Sequence, residues 1–325
     1  MRTVSILLWL LFLLSCGTKE ESGTVKEAVT SNTHYTGPII DMHSHAFGPE
    51  SGLNRQLGRA YTNPLTEKTY VAAASMEAAK NQTLEIYRKH NVVKAMVGSG
   101  ELWTEEAPEL VMIGNGYEHS INELRHRHSA GKLQVLGEVA PNYEGILPTD
   151  EKMAPYFDLA EELQIPIAYH LYPGGPPGGA YFAYPMTRAI QGKPLQMEEV
   201  LFARPEMKIY IMHAGWPYLE DMKALMFAHL QVYVDVGVIN WMLPRAEFHH
   251  FLKGLVDAGF GKRIMFGVDQ MVWPQSIEEA IESIQSADFL TLEQKADIFY
   301  NNAARFMDFP EEMIQIHKNI AVGTN

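Results

Sequence analysis

The sequence predicts a single (β/α)₈ barrel. Three observations carry that expectation. Short apolar runs, many rich in β-branched residues, recur through the chain. Amphipathic helical stretches separate most of them. Eight such units fit into about 270 residues, the size such a barrel needs. The runs lie at 39–42, 92–97, 109–113, 133–140, 165–171, 208–213, 231–238 and 263–269. Helical stretches at 75–90, 151–164, 218–230 and 246–259 lie between them, and one at 277–287 follows the last. Residues 98–108 leave little room for a helix, so there the helix is absent or one strand is misplaced. No Gly-x-Gly-x-x-Gly follows an early strand, so a dinucleotide-binding open sheet has no support.

Ahead of the barrel the chain reads as an address. Arg2 precedes an unbroken apolar run at 4–14, too short to span about 30 Å of hydrocarbon as a helix. It ends in Leu13-Leu14-Ser15-Cys16, which resembles the bacterial lipobox. Residues 1–15 are thus expected to be a lipoprotein signal peptide and Cys16 its lipidation site. Residues 16–36 are polar and turn-rich, a flexible tether of roughly 25 Å. Gly17 rather than Asp follows the Cys, which argues against inner-membrane retention. Lys19-Glu20-Glu21 resembles an acidic surface-export signal, although a solvated linker has the same composition. The expected location is the bacterial envelope, on the outer membrane. The barrel domain takes the rest, 37–325.

Composition narrows the function. The 325 residues are 46% hydrophobic and 20% charged, ordinary globular values. Acids outnumber bases 39 to 26, for a net charge of −13, so a phosphate-backbone partner is not expected. The single Cys excludes internal disulfides and thiolate clusters.

The first strand runs Ile39-Ile40-Asp41-Met42-His43-Ser44-His45, and its two imidazoles can reach one ion. The spacing alone is weak, since about half a His-x-His is expected by chance in this composition. His126-Arg127-His128 repeats it on a charged helix, where i and i+2 do not face each other, and reads as surface. The strength lies in conjunction. Glu138, His170, His213 and Asp269 each belong to a further apolar run, mostly at its C-terminal end. In a parallel barrel those ends converge on one face, so the six side chains together predict a metal site. Asp41 is expected on the opposite face from the histidine pair, as a packing or supporting residue.

Asp41-x-His43-x-His45, His170, the His213-Ala-Gly-Trp segment, Gly267-x-Asp269 and Asn302-Ala303-Ala304-Arg305-Phe306 resemble the amidohydrolase superfamily, in its amidohydrolase-related branch of TIM-barrel metal-dependent hydrolases. The likeness covers roughly 37–308. It implies His43, His45, His170 and Asp269 as metal ligands, and His213 as a second-metal ligand or an activating residue. It implies that Glu138 resembles the glutamate that bridges two metals in a deoxyribonuclease-like branch. Val268, Gln270 and Met271 depart from the usual pattern beside the aspartate and leave the substrate open.

Imidazole and carboxylate ligands without thiolate suit Zn²⁺, with Mn²⁺ or Fe²⁺ also compatible, one or two ions per chain. Asp269 is then the general base and His213 an aid to the oxyanion. The Gly/Pro-rich segment 171–194 is expected to be a lid at the barrel mouth. Tyr172, Phe182, Arg188, Trp216, Trp241 and Trp273 are candidate wall residues, with Arg188 able to grip a substrate carboxylate or phosphate. His249-His250 reads as helical surface.

The leading expectation is hydrolysis of an ester, lactone, amide or related bond in a small molecule. The alternative, implied by the same resemblance, is metal-dependent non-oxidative decarboxylation of an aromatic or unsaturated acid. A nuclease conflicts with the acidic charge. A lipid-tethered binding protein conflicts with the complete ligand set. Contact with a membrane is expected only through the anchor at Cys16.

Overall fold

A computed structural model describes residues 34–320. The signal peptide, Cys16 and the tether up to residue 33 lie outside the described residues. Eight parallel strands form one sheet: β1 (Ile39–His45), β4 (Val92–Gly98), β5 (Val111–Asn115), β6 (Val135–Val139), β7 (Ile167–His170), β8 (Ile209–Met212), β9 (Val232–Asp235) and β10 (Ile264–Met265), in that spatial order. Backbone bonds from Met42 to the Phe266 carbonyl (2.9 Å) and from Val268 to that of His43 (3.2 Å) bring the last strand back to the first. All eight expected runs hold a barrel strand, because strands buried on both faces read as continuous apolar runs.

Helices α1 (Met76–Lys89), α2 (Ile121–Ser129), α3 (Ala154–Leu163), α4 (Glu198–Ala203) and α5 (Leu219–Ala228) separate the successive barrel strands from β1 to β9 with one exception. The short α6 (Ile239–Met242) and α7 (Arg245–Leu255) precede β10, and α8 (Ser276–Gln285) follows it. No α-helix joins β4 to β5: residues Gly100–Leu102 make one 3₁₀ turn, so the helix is absent there and the strands stand. Ser75, Ser120 and Thr291 cap helices through their hydroxyls, the last in a capping box that opens α9 (Leu292–Ala296).

The barrel interior is packed rather than hollow. Ile40, Met42, Met96, Met112, Val135, Ala168, Tyr210, Met212 and Met265 form one buried cluster, and the Tyr210 hydroxyl donates across it to the Met42 carbonyl (2.9 Å). Helix α10 (Asn302–Phe306) closes the N-terminal end, with Ala303, Ala304 and Phe306 in the same cluster. Asn302 ties this plug to the sheet by donating to the carbonyls of Gly261 (2.8 Å) and Ile264 (2.6 Å). Helix α11 (Glu311–Asn319) follows it.

At the other end, β1 is irregular. Asp41 does lie opposite the histidine pair, as expected, but not by alternation: on a regular strand Asp41, His43 and His45 would share a face. A break in register between Asp41 and Ser44 changes this. Asp41 and Ser44 turn outward to the Tyr87 hydroxyl of α1 (2.6 and 3.1 Å), while Met42 lies inside the barrel. The bulge therefore aims both imidazoles into the mouth. Burial raises the Asp41 carboxyl to about 7, against bonds from Tyr87, the His43 amide and the Val268 amide.

Sequence reading missed the hairpin of β2 (Ala60–Thr62) and β3 (Thr69–Val71). It packs at the rim through Tyr70 on Trp241 (5.2 Å) and Tyr61 on Trp273 (5.5 Å). The expected tether also ends early, since the Tyr35 amide donates to Gln285 (3.0 Å) and its ring stacks on Phe299.

Candidate metal centre

Six side chains meet at the C-terminal ends of the strands. Among the described residues, His43, His45 and Asp269 bring three donor atoms within 4.8 Å of one another. Glu138, His170 and His213 form a second such set, and a third combines His43, His213 and Asp235. Glu138 stands between the first two. Its Oε2 lies 3.2 Å from His45 Nε2 and 3.7 Å from His43 Nε2, while its Oε1 lies 3.6 Å from His170 Nε2. Asp269 Oδ1 is 3.2 Å from His45 Nε2.

Three of the imidazoles are held by their other nitrogen. His43 Nδ1 meets the Asp235 carboxylate, with Oδ1 as its hydrogen-bond partner at 3.4 Å and Oδ2 at 3.2 Å. His170 Nδ1 meets Asn142 Oδ1 at 3.0 Å, and the Asn142 amide nitrogen donates to the Tyr172 carbonyl, which fixes the oxygen as the acceptor. His213 Nδ1 meets the Gly237 carbonyl at 2.9 Å. An Nδ1–H donated to an acceptor leaves a lone pair on Nε2, the form a metal ion requires. His43 Nε2 is buried and has no hydrogen-bond partner among the described residues. An orphaned imidazole nitrogen beside carboxylates, with no thiolate, fits a divalent cation.

Without an ion, the carboxylates draw protons onto two of the imidazoles, and an ion would have to displace those protons. Burial alone would lower the His43 and His45 pKa values. The charges of Asp269 and Asp235 carry His43 well above the usual range, and bonds to Asp269 and Glu138 carry His45 to about 9. Burial would raise Glu138, but His43 and His45 hold it well below the carboxylate range. His170 is pushed down to about 3 by burial, assisted by His213 and His43, so it stays neutral.

The backbone is shaped to this centre. A Cβ on Gly267 would lie 2.8 Å from His43 Cβ, and one on Gly237 2.8 Å from His43 Nδ1, so glycine lets both loops close on the ring. His213 (φ 59°), Val238 (φ 59°) and Asp269 (φ 56°) take left-handed backbone angles around it, strain of the kind stored at functional sites.

Of the expected wall, Tyr172 lies against His213 (4.9 Å between centroids) and beside Trp216 (5.8 Å). Trp216 donates its indole N–H to Glu247 (3.0 Å) and offers its ring. Trp273 packs on Tyr61 at the rim. Two assignments need correction. Trp241 is buried and donates to the Val268 carbonyl (2.8 Å), so it is core. The Arg188 guanidinium is exposed and donates to the carbonyls of Pro185 (2.9 Å) and Thr187 (2.7 Å) in its own loop, not toward the centre. Phe182 is 71% exposed at the loop tip. His126 and His128 sit on the outer helix α2, and His249 on α7 donates its Nε2–H to the Ser283 carbonyl on α8, away from the six.

Asp235, Asn142 and Tyr143 were missed. Asp235 closes β9 as Asp269 closes the last apolar run, so the same strand-end signal pointed to it. Asn142 and Tyr143 sit in a 3₁₀ turn (Pro141–Glu144) that carries no periodic pattern.

An eight-stranded barrel with histidines and carboxylates gathered at its C-terminal rim defines a TIM-barrel protein with a candidate metal centre. A family model described as Amidohydrolase matches residues 121–309, and the chain belongs to that family. Protein fluG of Emericella nidulans is 22% identical over 139 residues, which are 38% of this chain but only 16% of that protein. Among solved structures, a probable 2-pyrone-4,6-dicarboxylic acid hydrolase from Acinetobacter baumannii superposes with a TM-score of 0.57 at 13% identity, over 83% of this chain and 99% of that one. A 5-carboxyvanillate decarboxylase from Novosphingobium aromaticivorans, complexed with manganese and a nitrobenzoic acid, gives 0.54 at 12% identity, over 84% and 96%. At such identities the likeness is one of fold.

Proposed function

We propose that the protein is a metal-dependent hydrolase of an ester, lactone, amide or related bond in a small molecule, with two divalent ions. The observation that carries this is the placement of Glu138, whose two oxygens face two separate donor sets. His43, His45 and Asp269 would hold one ion, His170 and His213 the other, with Glu138 shared. The nitrogen and oxygen donors suit Zn²⁺ first, then Mn²⁺ or Fe²⁺. Such ions supply a water acidified toward a pKa of about 7 and polarise a carbonyl oxygen.

The chain's own residues do the rest. Asp269 Oδ accepts the water proton as the new C–O bond forms and returns it to the leaving group as the old bond breaks. Asp235, Asn142 and the Gly237 carbonyl fix the tautomers of His43, His170 and His213. Tyr172 and Trp216 give one apolar wall.

A second reading is decarboxylation of an aromatic or unsaturated acid. The aromatic wall and the decarboxylase among the structural neighbours favour it. The outward turn of Arg188 speaks against it, since no guanidinium grip for a carboxylate comes from that residue. The test is a panel of lactones, esters, amides and aromatic acids with metal-reconstituted protein in ¹⁸O water. Hydrolysis predicts one ¹⁸O in the acid product. Carbon dioxide release without ¹⁸O uptake overturns it. Attachment to the envelope through Cys16 rests on the sequence alone; Cys16→Ala is expected to move the protein from the membrane fraction to the soluble one.

A further inference from the structure

Tyr143 has no part in the reading above, yet its hydroxyl stands 3.1 Å from His170 Nε2. Because His170 Nδ1 donates to Asn142 Oδ1, Nε2 carries the lone pair and the phenol is the donor. The hydroxyl therefore occupies the nitrogen that the second donor set offers to an ion. The ring is held from two sides. It lies 4.7 Å from the His170 ring and stacks on Tyr184 at 3.9 Å and 17°. Tyr184 belongs to the long loop after β7, so the position of that loop and the position of the phenol are linked.

We propose that Tyr143 is a catalytic hydrogen-bond donor held in reserve on His170. In the ion-free site its hydroxyl is satisfied by Nε2. When Nε2 is given to an ion, the hydroxyl loses that acceptor and turns to the substrate oxygen that gains negative charge. The inference rests on the two-ion reading. It makes two predictions of opposite sense for one substitution. Removing the hydroxyl removes a competitor for His170, so the second ion binds more tightly. It also removes a donor to the oxyanion, so turnover falls.

The test is Zn²⁺ titration of ion-free full-length protein against a competing chelator, for wild type and Tyr143→Phe. In the variant the second Zn²⁺ is expected to bind about fivefold tighter, with the first unchanged. For the ester or lactone hydrolysed in the panel, kcat is expected to fall about 10²-fold with KM within threefold. A normal wild-type isotherm with an unaltered or weaker second step in the variant overturns the proposal alone. A wild-type isotherm without a second ion overturns the two-ion reading as well. Should Tyr143→Phe fail to fold, 3-fluorotyrosine at position 143 keeps the hydroxyl. Its fluorine resonance is expected to move with the second equivalent of Zn²⁺ and not the first; a resonance indifferent to both overturns the proposal.

Discussion

Asp235→Asn is the substitution for which the structure makes the sharpest prediction. Asp235 is fully buried at the end of β9. Its Oδ1 accepts from the Gly237 amide (2.7 Å) and the His213 amide (3.3 Å) and is also the hydrogen-bond partner of His43 Nδ1 (3.4 Å), while its Oδ2 lies 3.2 Å from that nitrogen with no hydrogen bond of its own. An asparagine of the same shape must keep its oxygen on the two backbone N–H groups. Its NH₂ then faces His43 Nδ1. Two donors then face each other where a carboxylate oxygen stood, which favours the tautomer with the proton on Nε2, the atom that would ligate the ion. Loss of such a supporting carboxylate costs 10–100-fold in metal affinity, and the tautomer change places this case at the upper end, about 100-fold. That is about 2.7 kcal/mol. Equilibrium Zn²⁺ competition against a chelator reads it directly, with circular dichroism to confirm the fold. An affinity within threefold of wild type in a folded variant would refute the role given to Asp235 and the tautomer argument for all three anchored histidines.

Asp269→Asn should lower kcat by about 10²–10⁴-fold at saturating metal, the range a general base contributes, in a protein with native circular dichroism; unchanged kcat would remove Asp269 from the chemistry. His317 tests the fold away from the centre. It is buried, its Nδ1 meets the Tyr300 hydroxyl at 2.8 Å, and burial and the Lys94 charge lower its pKa. A depressed histidine favours folding above its unfolded value of about 6.5, and that contribution is lost as pH falls through the folded value. Urea midpoints should therefore drop from pH 7.5 to 5.5 more in wild type than in His317→Gln, and equal slopes would show that the His317 pKa is the same in the folded and unfolded chain.

Much of the barrel was legible because its physics is local. Residues 209–212 (IYIM) and 232–235 (VYVD) are apolar on both faces, as strands between a packed interior and a shell of helices must be. The hairpin β2–β3 was not, because it is three residues a side, mostly exposed, and pairs only with itself. The convergence of His43, His45, Glu138, His170, His213 and Asp269 followed from one geometric fact, that parallel strand ends share a rim. What that rule cannot supply is direction. Trp241 and Trp216 both follow a strand end, yet one donates into the core and the other borders Tyr172. The left-handed Val238 ahead of α6 and the left-handed run at His213–Gly215 set those paths, and neither has a periodic signal. The face taken by Asp41 likewise depends on a bulge that hydrophobic alternation does not encode.

The proposed chemistry requires Glu138 to be shared between two ions. A crystal of protein reconstituted with Zn²⁺, with an anomalous difference map at the zinc edge, measures this. Two peaks about 3.5–4 Å apart are predicted, one against His43, His45 and Asp269, the other against His170 and His213, with the Glu138 carboxylate between them. A single peak out of reach of Glu138, or no peak among these side chains, would contradict it.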